Sequence, residues 1–207
     1  MSITINRRLN LVLPIELDEN HTIYFHSMPI QKEVFEANYL LLTRTLSNLY
    51  ANGIGPSMAP RIAALSLRDT AKEMDDKKDI SVNLMNEIYR LTNVIMPAAQ
   101  NGGGWQTLTY YDVKSRKLVD EQILMEVENA IVYFIVASAL HLRSELPMAY
   151  QGLTGIWKAE TISLSAMEYT RSLPTSIPIV NTGEKMEKTT VAPQHRQLVQ
   201  GVSSIPS

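Results

Sequence analysis

Residues 120–143 read DEQILMEVENAIVYFIVASALHLR, and the architecture turns on how this stretch folds. Asp120 is a natural helix N-cap, because its side-chain oxygen can accept from the unpaired N–H groups of a first turn. Glu121 and Glu126 lie towards the positive end of the resulting dipole and Arg143 near its negative end. The helix is expected to run to about Leu142. Its second part, Ala130–Leu142 (AIVYFIVASALHL), is apolar nearly all round, as befits a helix at the centre of a core or at a subunit interface. That run is shorter than the roughly 20 apolar residues needed to cross a bilayer, and Glu126, Glu128, Arg143 and Glu145 flank it. No membrane partner is expected.

Towards the N-terminus the apolar residues keep a helical step. Val82, Met85, Ile88, Leu91 and Ile95 predict a third helix, widened by Leu84 and Val94, capped by Asp79 or Ser81 and closed by Pro97. Asp75–Lys78 is a charged loop before it. A second helix is expected over Pro60–Met74, with Ile62, Leu65 and Leu67 as its apolar side. A first helix follows a cap at Ser27, with Val34, Phe35, Tyr39, Leu42, Leu46 and Leu49 at three- and four-residue steps. Asn52-Gly53 and Gly55-Pro56 end it. Before Ser27 the period becomes two. Leu9, Leu11, Leu13, Ile15 and Leu17 alternate, Asp18–His21 is a polar turn, and Ile23 and Phe25 resume the pattern. A β-hairpin of Leu9–Glu16 with Thr22–His26 is predicted. Pro14 suits an edge strand, since it cannot donate to a ladder.

Towards the C-terminus, Gly152 and Gly155 interrupt the chain before Trp157, and Ala159–Arg171 reads as a fifth helix anchored by Ile162, Met167 and Tyr169. Between the third and fourth helices, Asn101–Gly104 is a loop and Thr107–Tyr111 a possible short strand. From Ser172 the chain has no aromatic residue and is sprinkled with Pro, Ser and Thr, a composition that buries too little apolar area to offset ordering. The expected fold is therefore mainly α within the α+β class. It comprises an N-terminal hairpin (1–26), a domain of four to five helices (27–171) and an extended tail (172–207).

Composition and motif content narrow the chemistry. The 207 residues carry 19 Lys and Arg against 21 Asp and Glu, which argues against a nucleic-acid partner held by counterion release. There is no cysteine, so disulfides, thiolate zinc sites and Cys nucleophiles are excluded. The histidines His21, His26, His141 and His195 form no metal-binding pair. His21 and His26 are expected to be solvated. Gly102–Gly104 lacks the Lys-Ser/Thr of a phosphate loop. Glu126 and Glu128 point about 200° apart on a helix, and Glu121, Glu128 and Glu145 are too dispersed for a paired metal site. No catalytic, cofactor-binding or metal-binding residue is nominated, and an enzyme is not expected. Trp105, Tyr110 and Tyr111 are candidate partner-binding residues, because aromatics are enriched at interfaces. Leu198, Val199, Val202 and Ile205 are candidate anchors for a tail that folds on binding.

The stretches SITINRRLNLVLPI (residues 2–15), LMNEIYRLTNVIMP (84–97) and VENAIVYFIVASALHLRSELP (127–147), with SLPTS at 172–176 and the final SIPS, resemble the tail assembly chaperones of long-tailed bacteriophages. The resemblance covers most of residues 1–176. It implies a small, mostly helical protein without an active site or cofactor, made in the cytoplasm of the infected host and absent from the mature virion. It also implies tape-measure and major tail proteins as partners, with a homo-oligomer possible. A structural protein of the virion tail or head is the alternative, and a small enzyme a more distant one.

Overall fold

The computed structural model describes residues 9–18, 21–51, 53–74, 80–98 and 104–174. Strand β1 (Asn10–Asp18) turns back into β2 (His21–Ser27), with Leu13 opposite Phe25 and Ile15 opposite Ile23. The hairpin therefore forms where the alternation placed it. Ser27 does not cap a helix. It ends β2, buried, its hydroxyl 3.1 Å from that of Thr92. Helix α1 (Lys32–Ala51) starts five residues later than Ser27, followed by α2 (Gly55–Met58), a 3₁₀ turn (Ala59–Arg61), α3 (Ala63–Glu73) and α4 (Ile80–Arg90).

The mainly helical expectation fails after Arg90. Residues 92–97 are a strand, β3 (Thr92–Pro97), where the sequence pattern extends the third helix to Pro97. β4 (Trp105–Thr109) pairs with it, and β5 (Glu160–Ile162) occupies the start of the expected fifth helix. The hairpin is thus the middle of a five-stranded antiparallel sheet ordered β4-β3-β2-β1-β5, and the fold is mixed α+β. The remaining helices are α5 (Tyr110–Ser115), α6 (Glu121–Leu140), α7 (Leu146–Ala149), α8 (Gln151–Trp157) and α9 (Ala166–Ser172). Thr92, Val94 and Ile95 are β-branched and all buried, so β3 loses the alternation that marks a half-exposed strand. β5 pairs only with Asn10–Val12, which leaves Pro14 past its end, where a missing donor costs nothing.

Helix α6 is central, as expected. Asp120 accepts from the Gln122 N–H at 2.8 Å, and Val127–Ala137 are buried throughout. By length and composition α6 is apolar enough to cross a membrane, but here those residues pack against the protein's own elements. Leu11, Leu13, Ile23, Phe25 and Val94 present one sheet face to this core. Val12, Tyr24, His26, Ile95 and Trp105 occupy the opposite face, which is closed separately by residues 160–174.

Candidate functional site

The most enzyme-like constellation among the described residues surrounds Glu128 on α6. The residue is 7% exposed, and three other helices supply its partners. Arg68 of α3 donates to Oε2 at 2.7 Å. Tyr89 of α4 donates to Oε1 at 2.6 Å, Tyr110 of α5 at 3.1 Å, and the Lys114 ammonium at 3.3 Å. The Tyr89 and Tyr110 rings stack at 4.5 Å, nearly parallel, and Lys114 lies 5.1 Å from the Tyr89 centroid. Burial disfavours the charged carboxylate, but the Tyr89 hydroxyl, Arg68 and Lys114 outweigh it and hold Glu128 below the usual carboxylate range. Burial and the same carboxylate push both phenols well up. Chemically this is an ionised acid with three donors on Oε1 and one on Oε2, flanked by tyrosines that keep their protons. It fastens α3, α4 and α5 to α6. Asn129 does related work next door: its Oδ1 accepts from Ala64 N at 2.9 Å, in the first turn of α3, which has no side-chain cap of its own.

A second buried group lies on the far sheet face. His26 is 0% exposed, contrary to the solvated state expected from sequence, whereas His21 is exposed and paired with Asp18 at 2.8 Å. His26 Nε2–H donates to the Leu164 carbonyl at 2.9 Å, leaving Nδ1 buried with no partner among the described residues. Burial lowers the basicity of this ring. Tyr24 sits edge-on to both Trp105 and Tyr169, each at 5.6 Å, and closes the cluster.

The third feature is a cavity of 280 Å³ between the start of α1 and the end of α6. Ile30, Phe35, Ala139 and Leu146 give it apolar walls. Lys32, His141 and Arg143 stand around it, and among the described residues no carboxylate lines it. Beyond the cavity the first half of α1 lies at the margin of the core: Val34 and Phe35 are half-buried against it and Tyr39 is 56% exposed.

The aromatic residues nominated from sequence do not meet in one patch. Tyr110 is 0% exposed inside the Glu128 network. Tyr111 is 45% exposed and donates to Asn86 Oδ1 at 3.1 Å. Trp105 belongs to the far sheet face, where its Nε1–H donates to the Pro174 carbonyl at 2.9 Å. Leu198, Val199, Val202 and Ile205 lie outside the described residues, as does most of the expected tail. The sequence pattern offers Glu128 only as a carboxylate pair or metal ligand, and on neither ground does it stand out. Its signal is a lone carboxylate entering the apolar part of a long helix, although its partners lie 14 to 60 residues away. No protein-family model, curated protein or solved structure matches the chain.

Proposed function

We propose that this chain is a non-enzymatic assembly chaperone that shields an apolar helical client, and that it acts in the host cytoplasm during bacteriophage tail morphogenesis, on tape-measure and tail-tube proteins. The observation that carries the binding function is the first half of α1, which presents Tyr39 and Leu40 to solvent beside a cavity with apolar walls. Exposed apolar surface of this kind marks interaction sites. The phage setting and the named clients come from the resemblance of residues 2–15, 84–97 and 127–147.

Co-expression with a tape-measure protein tests the function. The client should stay in the soluble fraction with this chain and precipitate without it; equal precipitation in both cases excludes a chaperone. Mass spectrometry of purified particles separates the structural alternative, since stoichiometric recovery of this chain in virions would favour a tail or head component.

A further inference from the structure

None of residues 160–174 is buried, yet together they close the far sheet face over Val12, His26 and Ile95, each at most 1% exposed. β5 ties this strap to Asn10–Val12, the Thr107 and Thr170 hydroxyls meet at 3.1 Å, and Trp105 donates to the Pro174 carbonyl. Between these ties the Leu164 carbonyl accepts from Asn10 Nδ2–H at 2.8 Å and from His26 Nε2–H at 2.9 Å. With its proton on Nε2, the neutral ring carries its lone pair on Nδ1, which is sealed in without a partner among the described residues. A second proton would make Nδ1 a buried, charged donor with nothing to accept it. None of the groups around the ring supplies that acceptor. Tyr24 shares its strand face, Glu160 lies on β5, and α9 carries Glu168, Tyr169 and Arg171. β1 and β3 set Val12 and Asn93 opposite it, and β4 continues the row with Thr109. Glu168 is engaged with Ser165, and burial pushes the Tyr24 and Tyr169 phenols up, so both stay protonated. Farther along, Glu16 is bonded to Lys158, Asp18 to His21 and Asp112 to Thr109.

We propose that proton uptake at His26 lifts residues 160–174 off the sheet while β1–β4 and α6 stay folded, uncovering Val12, Tyr24, Ile95 and Trp105. Burial outweighs the Leu164 and His26 carbonyls, which favour a charged ring, and keeps the closed ring less basic than the usual 6.5. Once the strap lifts, water accepts from Nδ1 and the ring regains its ordinary basicity. The open form therefore takes up the proton first, so falling pH favours it and rising pH closes the strap again. With the open ring titrating at 6.5 and the closed ring scarcely at all, the open population gains up to about thirtyfold between pH 7.5 and 5. The device does not depend on which client the chain binds.

Hydrogen exchange of the full chain between about pH 7.5 and 5, divided by the intrinsic exchange rate at each pH, reads the opening. The reporters are the α9 amides, such as Tyr169 N–H, which is bonded to the Ser165 carbonyl. Their protection should fall up to about thirtyfold as the pH drops. Urea should change it little, because lifting the strap exposes little surface. His26→Gln keeps a donor for Leu164 but takes up no proton, and should remove the pH dependence. Asn10→Ala should lower protection by the same factor at every pH and leave the pH dependence intact. Constant protection in the native chain overturns the proposal. So does a fall that survives in His26→Gln, or one that α6 shares at the same free energy and urea slope, since the unfolding would then be global. Should the Gln variant not fold, nitrogen-15 spectra of the native chain decide. Proton uptake by the His26 ring must share its midpoint with the shift of the α9 amides, and a ring that titrates while those amides stay put excludes the device.

Discussion

Glu128 shows how much one residue can organise. Its carboxylate joins α3, α4, α5 and α6 through Arg68, Tyr89, Tyr110 and Lys114. Arg68 and Lys114 are about half exposed, so solvent screens their share, and the buried hydroxyls matter more. Glu128→Ala leaves the Tyr89 and Tyr110 hydroxyls unmatched, and a loss on the order of 2–3 kcal/mol is expected in urea unfolding. Because the folded carboxyl is held below its usual value of 4.5, its contribution is complete above that pH and fades as pH falls beneath it. The Ala variant should therefore show a shallower acid transition than the native chain. His26 works in a different window. Its folded ring is less basic than the usual 6.5, so below that pH the unfolded chain takes up a proton that the folded chain refuses. Stability should drop between about pH 7 and 5 with a slope of up to ~1.4 kcal/mol per pH unit, and His26→Gln should flatten that slope whatever it does to absolute stability.

Among the elements, legibility followed how long an unambiguous pattern runs. β1 and β2 were readable because Leu11 and Leu13 alternate with less apolar neighbours, although Val12 proves buried as well. α6 was readable from Asp120 and a long apolar run. β3 was not, since Ile88, Leu91 and Ile95 satisfy a helical step and both faces of Thr92–Pro97 meet protein at their centre. β5 spans three residues, too few to display any period. The Glu128 site was hidden for a different reason: its members come from separate helices, and only the assembled fold brings them together. Two element-scale effects can be measured. α5 begins with a capping box in which Thr109 Oγ1 accepts from Asp112 N at 3.1 Å and the Asp112 carboxylate accepts from Thr109 N. Thr109→Ala should cost about 1 kcal/mol in thermal or urea unfolding. Where α8 crosses α2, a Cβ on Gly152 would sit 2.3 Å from the Pro56 carbonyl oxygen, and backbone cannot yield as a side chain does. Gly152→Ala should destabilise by about 1–3 kcal/mol, with a lowered melting temperature as the readout.

At the scale of the whole molecule, the sheet separates two unequal layers. One face meets α6 and the main core, while the other is closed by α9, which has no buried residue of its own, and by the segment leading into it. Hydrogen exchange should therefore find α9 opening at a far lower free energy than α6, with Val127–Ala137 exchanging only on global unfolding. Exchange that is equally slow in both would contradict a two-layer hierarchy. The bond from Asn10 Nδ2 to the Leu164 carbonyl spans 154 positions of sequence, and β1 waits for β5 over a similar separation. A ribosome delivers residues in order, at about 5–20 per second. For several seconds, then, the nascent chain holds β1 to β4 with Val12 and Ile95 bare, and the segment that covers them is among the last of the described residues to be made. During synthesis the protein therefore passes through an interval in which its own sheet face is what needs cover.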